Sequence, residues 1–430
     1  MQNYLTLPQK FIEKMKKQLP DSQWEAFFAV YDKKPYKGVR LNPLKGEIDQ
    51  IKKLLPFLGE KVAWEDYGYY TDEEKVGNSV FHHAGLFYSQ EPSAMSVAPL
   101  LQVKAGEKVL DLCSAPGGKG TQLACRMDGE GIIVLNEPVS NRAKILSQNV
   151  ERLGIENAVV TCEMPENMSD KFTAYFDKIL VDAPCSGEGM FRKYPEEAKG
   201  NWSEENIALC AVRGAGILDK ATKMLKKGGL LAYSTCTFAT EEDEGQVFNY
   251  LLKHPEMSLV KTEKIYPHTQ KGEGHFIALF RKTDGEEREL KTTKEKISPQ
   301  SKKAFEEFEK QFFKVKKERV LYEHNGVLYA IPKGVFDFRD LSVLRVGVRL
   351  GEMKNGRFEP SHALGMSVKP CDCKRVVETA EADKYLRGET LTAEIENGWC
   401  LVTHQGYGLG LGKAVNGTVK NHLPKGLRKA

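Results

Sequence analysis

The sequence has little of what marks a secreted or membrane-embedded protein. The first residues, Met1 to Thr6, lack the basic start and the long apolar core of a signal peptide. No apolar run approaches the length that spans a bilayer. The nine cysteines are an odd number in a long chain without a secretion signal, so we expect reduced thiols rather than a disulfide framework. These absences predict a cytoplasmic protein without a membrane partner.

Metal-binding patterns and a strong charge of one sign are also absent. The neighbours His82 and His83 would share a metal poorly, and Cys371 and Cys373 have poor zinc spacing even with Cys400. We therefore expect no metal. The 63 basic and 59 acidic residues give a net charge of +4, which permits an anionic partner without requiring one.

Between about residues 103 and 282, short apolar runs alternate with longer amphipathic segments. This alternation predicts an α/β fold with a doubly wound, mostly parallel, Rossmann-like sheet. In such sheets the ligand crevice lies beyond the carboxyl ends of the strands, so the residues that follow each strand are the candidates for function. The predicted strands are Val109–Leu112, Ile132–Asn136, Ala158–Thr161, Lys178–Asp182, Leu230–Ser234 and Phe276–Phe280, and the predicted helices are Lys119–Met127, Ser140–Leu153, Glu204–Leu225 and Glu241–Leu252.

The first predicted strand leads into a glycine-rich turn that is typical of cofactor-binding α/β proteins. Glycines let the backbone approach a ligand closely, and the start of the next helix offers unpaired N–H groups. An ordinary structural turn between a strand and a helix can carry the same residues. The residues of this turn that we predict to bind a cofactor are Cys113, Ser114, Ala115, Pro116, Gly117, Gly118 and Lys119.

Acidic residues follow the second and third predicted strands. Glu137 stands at about the distance from the turn at which an acid accepts hydrogen bonds from ribose hydroxyls. We include Arg142, in the following helix, among the cofactor-binding candidates, and Glu163 could reach an adenine ring. A helix-starting acid at Glu137 and an exposed loop carboxylate at Glu163 are the structural alternatives. These residues fit a nicotinamide cofactor and S-adenosylmethionine equally well.

Two cysteines separate these alternatives. Cys185 follows the fourth predicted strand in the segment Asp182–Gly189, and Cys236 follows the fifth. Thiols at the ends of neighbouring strands face one crevice, and a thiolate is the strongest common side-chain nucleophile near neutral pH. Hydride transfer needs no thiol, so the nicotinamide interpretation fails. Neither cysteine belongs to a Cys-x-x-Cys motif, which argues against a redox pair.

Taken together, three segments resemble signature motifs of the Sun/Fmu-type RNA (cytosine-5) methyltransferases. Tyr88–Met95 also resembles the segment that precedes the cofactor loop in that family, and the match spans about Arg40 to Lys282. Ser114 departs from the family pattern, where many members have alanine, and the segment around Glu163 departs as well. The three motifs are Cys113–Lys119, Asp182–Gly187 and Ser234–Thr237.

The resemblance implies a chemistry for the site. S-adenosylmethionine would be the cofactor, and RNA, specifically 16S rRNA or the small ribosomal subunit, would be the partner. Cys236 would bond covalently to cytosine C6, and Cys185 would help remove the C5 proton or otherwise release the product. Asp182, which also borders the cofactor, would hydrogen-bond the ring near N3. Lys119 would orient Asp182.

Composition and resemblance together divide the chain into four parts. Residues 1–80 form a small α+β N-terminal auxiliary domain, residues 81–283 the catalytic domain, residues 284–305 a charged linker, and residues 306–430 a PUA-like RNA-binding region. In this last region we predict a helix at 303–319 and a strand at 345–350. After Glu396 there is no acid, and a basic terminus suits a phosphate backbone. Its cations are Lys413, Lys420, Lys425, Arg428 and Lys429.

Further interpretations stay open at this stage. The protein could be a ribosome-assembly or RNA-binding factor with a non-catalytic methyltransferase domain, although the two intact cysteines argue against this. Methylation of a protein or a small molecule would leave the second cysteine and the basic terminus unexplained. In the N-terminal part, Arg40 and Lys45 are weak candidates for phosphate contacts.

Overall fold

The structure, a computed structural model, describes residues 6–429. The N-terminal part begins with two helices and continues with a three-stranded antiparallel sheet of order β2-β1-β3, which includes two further short helices between its strands. Phe11 and Phe27, from the apolar faces of the first two helices, share a core with Phe191 and Phe238. The elements are α1 (Gln9–Gln18), α2 (Asp21–Ala29), β1 (Gly38–Leu41), α3 (Ile48–Lys53), β2 (Gly68–Tyr70), α4 (Val80–His83) and β3 (Phe87–Ser89).

The middle of the chain alternates strands and helices as predicted. Most residues of its parallel strands are buried, because helices cover both faces of the sheet. The elements are α5 (Val97–Leu101), β4 (Lys108–Asp111), α6 (Gly118–Arg126), β5 (Ile132–Asn136), α7 (Ser140–Leu153), β6 (Ala158–Thr161), α8 (Pro165–Lys171), β7 (Phe176–Asp182), α9 (Pro195–Gly200), α10 (Glu204–Met224), β8 (Leu225–Thr235), α11 (Glu244–Lys253), β9 (Met257–Ile265) and β10 (His275–Lys282).

The C-terminal part is mostly β-structure. A four-stranded sheet of order β11-β12-β14-β15 precedes a five-stranded sheet of order β16-β18-β19-β20-β17. The elements are α12 (Pro299–Phe312), β11 (Val320–His324), β12 (Val327–Ile331), β13 (Val343–Val346), β14 (Val348–Lys354), β15 (Arg357–Pro360), α13 (His362–Ser367), β16 (Val376–Glu378), α14 (Ala382–Leu386), β17 (Leu391–Thr392), β18 (Gly398–His404), β19 (Tyr407–Val415) and β20 (Thr418–Asn421).

The central sheet has eight strands in the order β13-β6-β5-β4-β7-β8-β10-β9. The strands from β6 to β8 pair in parallel, and β10 and β9 close one edge antiparallel. The chain leaves β4 for β5 on one side and later returns to β7 on the other, so the strand order reverses at β4. This arrangement confirms the predicted doubly wound, Rossmann-like fold, and a ligand crevice is expected beyond the carboxyl end of β4.

One strand of the central sheet comes from far along the chain. Strand β13 pairs antiparallel with β6, with Val343 opposite Thr161. A division of the chain at residue 306 therefore does not separate two independent sheets. The charged segment 284–305 is also bridged to later residues, at Thr292 with Phe336 and at Lys296 with Tyr322.

Two predicted elements of the C-terminal part differ from the structure. The helix predicted at 303–319 lies at Pro299–Phe312, because the Ser298 side chain accepts a hydrogen bond from the Ser301 N–H at its start. The strand predicted at 345–350 is divided at Gly347, whose φ is +54°. A Cβ at Gly347 would lie 2.1 Å from the Ala330 carbonyl oxygen, so the chain turns there from one sheet into another. Within residues 6–429, no helix is long and apolar enough to cross a membrane.

Candidate active site

Three predicted catalytic residues and the buried Asp111, which was not predicted, lie at or just beyond the carboxyl ends of three neighbouring strands. Asp111 ends β4, Asp182 ends β7, and Cys236 directly follows β8. Cys185 comes three residues after β7, in a loop that reaches Cys236. The sheet therefore brings together four side chains that are widely separated in sequence, at the edge where an open α/β sheet binds its ligand.

The two predicted cysteine thiols are adjacent. The Cys185 Sγ lies 3.4 Å from the Cys236 Sγ, and the Cys236 backbone N–H also donates to the Cys185 Sγ at 3.4 Å. The hydrogen bond to Cys236 and burial raise the pKa of the Cys185 thiol well above its ordinary value. Cys185 therefore keeps its proton near neutral pH.

A buried carboxyl group fixes the loop that carries Cys185. Glu242 accepts hydrogen bonds from the Ser186 N–H at 2.9 Å and from the Ser186 Oγ at 2.5 Å. The Ser186 Oγ also lies 2.8 Å from the Thr237 Oγ1, one residue beyond Cys236. Burial raises the pKa of Glu242 to about 7. These contacts join the two cysteine-bearing segments directly.

Lys119 and Asp182 form an ion pair at the rim of the cysteine pair. The Lys119 Nζ is 2.9 Å from Asp182 Oδ2, and the Ser234 Oγ donates to Asp182 Oδ1 at 2.8 Å. Burial by itself would raise the pKa of Asp182, but Lys119 outweighs that effect and leaves the pKa below its usual value. Burial likewise acts to lower the pKa of Lys119, which Asp182 raises overall. Both groups are therefore charged at neutral pH.

The glycine-rich turn leaves hydrogen-bonding atoms open to a ligand. Gly117 caps α6 with a φ of 111°, and a Cβ at Gly120 would lie 2.6 Å from Asp111 Oδ2. Both carboxylate oxygens of the buried Asp111 and the Ser114 Oγ lack a well-formed hydrogen bond to any residue that the structure describes. Burial raises the pKa of Asp111 to about 7. Unpaired buried acceptors of this kind fit a cofactor that brings its own donors.

Glu137 and Arg142 frame the other side of the turn. Glu137 is buried, accepts from the Val139 N–H at 3.0 Å, and lies 3.3 Å from Arg142 Nη1. Arg142 Nη2 also donates to the Ala115 carbonyl oxygen at 2.9 Å. The carbonyl of Pro116 is held in turn by Asn149 Nδ2 at 2.9 Å. Helix α7 therefore braces the turn at two consecutive residues.

Glu163 and Cys113 are the predicted site residues with the weakest connection to the rest of the site. The Glu163 carboxylate accepts from the Ser342 N–H at 2.7 Å and from Asn167 Nδ2 at 3.1 Å, so both of its oxygens already have protein partners. The structure joins Glu163 to the segment before β13 and shows it no side-chain bond to another predicted site residue. Burial raises the pKa of the Cys113 thiol far above its ordinary value, which disfavours its thiolate.

Comparisons with known proteins agree with this geometry along the whole chain. Models of four protein families match: the N-terminal domain of 16S rRNA methyltransferase RsmF at residues 7–92, 16S rRNA methyltransferase RsmB/F at 98–281, the RsmF rRNA methyltransferase first C-terminal domain at 307–368, and the methyltransferase RsmF PUA domain at 376–429. Ribosomal RNA small subunit methyltransferase F of Vibrio vulnificus is 31% identical over 468 residues, covering 99% of this chain and 98% of that protein.

The chain belongs to the RsmF family of rRNA methyltransferases. The resemblance seen in the sequence is thereby confirmed, and the protein is an RNA methyltransferase. Ribosomal RNA small subunit methyltransferase F of Shewanella piezotolerans is 29% identical, and the alignment covers 98% of this chain and 97% of that protein. Among solved structures, a methyltransferase homologue from Pyrococcus horikoshii has a TM-score of 0.58 at 27% identity, covering 65% of this chain and 96% of that one. NSun6 from Pyrococcus horikoshii, solved with SFG, has a TM-score of 0.58 at 21% identity, covering 65% of this chain and 99% of that one.

In this RsmF-family enzyme, the N-terminal part contacts the glycine-rich turn through a residue whose role the sequence did not reveal. Arg40 on β1 is buried and donates hydrogen bonds to the Gly118 carbonyl oxygen at 2.6 Å and to Thr121 Oγ1 at 2.8 Å. The same guanidinium reaches Gln90 Oε1 at 2.5 Å. The hypothesis that Arg40 contacts phosphate is therefore wrong, because its donors are used inside the protein. Lys45 likewise donates to the Met366 carbonyl oxygen at 2.5 Å.

A second N-terminal contact holds the Cys185 loop of the enzyme. Glu188, fully buried, pairs with Lys14 on α1 and accepts a hydrogen bond from Trp202 Nε1 at 2.8 Å. Its second oxygen accepts from the Phe238 N–H at 3.1 Å, two residues after Cys236. Helix α1 carries several lysines, and such a cluster is by itself typical of a solvated helix face, so the sequence did not indicate this contact.

Proposed function

We propose that this RsmF-family enzyme methylates C5 of a cytosine in 16S rRNA through a transient covalent bond between Cys236 and C6, with S-adenosylmethionine as the methyl donor. The observation that carries the proposal is the pair of thiols 3.4 Å apart beside an ionised Asp182. A methyltransferase that acts on a nucleophilic oxygen or nitrogen needs neither thiol, whereas cytosine C5 is too weak a nucleophile to react without prior addition at C6.

The cofactor residues are also part of the proposal. S-adenosylmethionine supplies a methyl group on a positively charged sulfur. We assign its binding to the turn Cys113–Lys119, to Glu137 and Arg142, and to the rim formed by Asp182. The unpaired acceptors of Asp111 and Ser114 support this assignment, because an amino acid or ribose moiety brings N–H and O–H donors. Glu163 remains the weakest member of the set, since its carboxylate already has protein partners.

The proton on Cys185 supports Cys236 as the attacking sulfur. The hydrogen bond that Cys185 donates to the Cys236 sulfur, together with burial, keeps Cys185 a neutral thiol, and a neutral thiol is a poor nucleophile. In the proposed step the sulfur of Cys236 bonds to C6, and the Cys236 proton ends on ring N3. Asp182, held ionised by Lys119, accepts a hydrogen bond from that N3–H. Addition at C6 gives C5 the character of an enamine carbon, which can take the methyl group.

Product release then falls to Cys185. Once the sulfur of Cys236 is bonded to carbon, it no longer opposes a negative charge on Cys185, so one cause of the raised pKa disappears. Cys185 can then lose its own proton to solvent, which is the proton that the reaction releases overall, and as a thiolate it accepts the C5 proton. The electrons of the C5–H bond restore the double bond to C6, the bond between C6 and the Cys236 sulfur breaks, and the departing thiolate takes up the N3 proton.

The family names and the site together indicate the substrate. The matching curated relatives are called small-subunit rRNA methyltransferases, which supports 16S rRNA for this chain as well. A base buried in a helix must leave its stack to reach the crevice, at a cost of a few kcal/mol. We propose that the N-terminal region 1–80 and the region 306–430, which follows the segment 284–305, supply RNA contacts that offset this cost around the catalytic domain 81–283. Such a substrate also implies a cytoplasmic site of action.

Trapping of the covalent intermediate tests the proposal. Cys185→Ala should stall the enzyme after attack, so that it migrates with its RNA as a slow band on a denaturing gel. Cys236→Ser, and the double variant with Cys185→Ala, should give neither band nor methylation while still binding S-adenosylmethionine by calorimetry. Cys371→Ala is the matched control, because this exposed thiol lies outside the site and its loss should change nothing.

Two results would contradict the assignment. Substantial turnover by the Cys236→Ser enzyme would move the nucleophile to Cys185. Normal turnover by the Cys185→Ala enzyme, without trapped RNA, would remove Cys185 from product release. Bisulfite sequencing of 16S rRNA from cells with and without the protein identifies the modified cytosine. An unchanged pattern would favour the non-catalytic assembly factor instead.

A further inference from the structure

His275, the first residue of β10, is buried in the catalytic region without a well-formed hydrogen bond. Its exposed fraction is 1%, neither ring nitrogen makes a well-formed hydrogen bond to any of residues 6–429, and the backbone of the adjacent Gly274 is the one hydrogen-bonding group that acts on the ring within that part of the chain. His254, by contrast, has partners for both ring nitrogens, Asp219 at 2.8 Å and Glu256 at 3.1 Å. Of the described histidines, His275 alone is buried with both nitrogens unpaired. Buried polar groups without partners are rare and call for an explanation.

The strand pairing places His275 beside the nucleophile segment. Phe276 pairs with Thr235, so His275 stands next to the position at which Cys236 leaves β8. Lys119 and Asp182 are the charged side chains that act on its ring. His275 therefore belongs to the same crevice as the catalytic groups.

Burial, reinforced by the positive charge of Lys119, lowers the pKa of His275 to about 3. The imidazole is therefore neutral, with one nitrogen as a donor and the other as an acceptor. A neutral ring of this kind would suit a neutral ligand group that carries an N–H, because it offers an acceptor nitrogen and has no positive charge to attract a phosphate. The flipped base of the substrate is such a ligand, and cytosine offers the N–H groups of its 4-amino substituent.

We propose that His275 accepts a hydrogen bond from the 4-amino group of the target cytosine and so helps the enzyme to select cytosine over uracil. This inference rests on the proposed function. Asp182 takes the N3 side of the ring, and His275 takes the neighbouring amino group, which uracil replaces with a carbonyl oxygen. A site whose buried acceptor stays unpaired with the wrong base rejects that base more strongly than a purely apolar pocket does.

A cycle of two enzymes and two RNAs tests the contact. The enzymes are the wild type and His275→Phe, and the RNAs carry either cytidine or the ribonucleoside of pyrimidin-2-one, which lacks only the 4-amino group, at the target position. Loss of one neutral hydrogen bond corresponds to roughly a 10-fold fall in kcat/KM. We expect that fall for His275→Phe with cytidine and little fall with pyrimidin-2-one. His275→Gln, which keeps an acceptor, should recover part of the loss with cytidine alone.

The remaining outcomes separate this inference from the proposed function. Equal falls with both RNAs, or no fall with either, would overturn the role of His275. A wild-type enzyme that forms no 5-methylcytosine in the cytidine RNA would instead overturn the proposed function. Affinity for S-adenosylmethionine should be the same in all variants, and thermal unfolding checks their folding. If the phenylalanine variant does not fold, His275→Leu takes its place in the same cycle.

Discussion

In the proposed mechanism Asp182 accepts a hydrogen bond from ring N3–H as a carboxylate, and Lys119 favours that charged form in spite of burial. Lys119→Met removes the cation and leaves the burial, so the charged form of Asp182 loses its support and the pKa of Asp182 rises. Activity that needs the carboxylate is lost as pH falls through that higher pKa. The acidic limb of the profile of kcat/KM against pH should therefore move to higher pH in the variant.

The matched control is Lys119→Arg, which keeps a cation beside Asp182 and should keep the acidic limb close to that of the wild type. Both variants should be compared at saturating S-adenosylmethionine, because Lys119 also borders the cofactor turn. A lower rate with an unchanged pH profile in Lys119→Met would contradict the role given to this ion pair and would leave Lys119 a cofactor residue only.

The sequence predicted that some catalytic residues would lie close together, because these residues stand at the ends of predicted strands. Asp182 ends one apolar run and Cys236 follows another, and both runs were predicted to be strands. Because parallel strands end at one edge of a sheet, the proximity of both residues to the glycine-rich turn was foreseeable. Arg40 and His275 were not foreseeable. The role of Arg40 depends on how the N-terminal sheet packs against the glycine-rich turn. The lack of well-formed hydrogen bonds at His275 depends on which polar groups the tertiary structure keeps away from its ring.

At the level of elements, strand β1 supports the cofactor turn through Arg40. Replacing Arg40 with alanine would leave the acceptors of Gly118, Thr121 and Gln90 without their donor. Hydrogen bonds from a charged group contribute about 1.5 to 3 kcal/mol each, and they are not additive, so we expect the free energy of unfolding to fall by about 3 kcal/mol. Affinity for S-adenosylmethionine should fall as well, because the turn loses the contact that fixes its carbonyl group.

Urea unfolding and calorimetric titration measure the two effects of Arg40→Ala. Arg213→Ala, on the exposed side of α10, is the control and should change neither quantity. If the Arg40 variant is as stable as the wild type and binds the cofactor normally, the N-terminal sheet does not support the turn through this residue.

The elements also show where the local pattern stops being informative. Strands β5 and β6 and helix α7 have the predicted bounds, because an apolar run or an amphipathic repeat ends there in turn residues. Strand β9 was missed, since it is an edge strand in which only two of nine residues are buried. The pairing of β13 with β6 joins residues far apart in the chain, and no local pattern specifies such an edge pairing.

Across the whole molecule, the first and last parts of the chain share one core. Val39 and Leu41 of the N-terminal sheet pack in the same cluster as Cys400 and Val402 of β18. Removing the residues after Glu396 would take away β18, β19 and β20 and expose that cluster. Deletion is therefore a poor test of the basic C-terminal segment, and single charges have to be neutralised instead.

Lys420 and Lys425 are exposed cations of this segment, while Lys429 already pairs with Asp383. If the two lysines contact RNA phosphates, Lys420→Gln with Lys425→Gln should weaken binding to 16S rRNA and flatten its salt dependence. The slope of log K against log salt changes by about 0.7 to 0.9 per phosphate contact, so it should fall by roughly 1.5 in magnitude.

The matched control is Lys104→Gln with Lys333→Gln, which removes two exposed lysines outside the basic segment. Equal slopes in the two double variants would show that the loss acts through net charge alone. A slope that changes only in the first pair would place RNA against the C-terminal sheet, and trapping by Cys185→Ala should then be slower in that background.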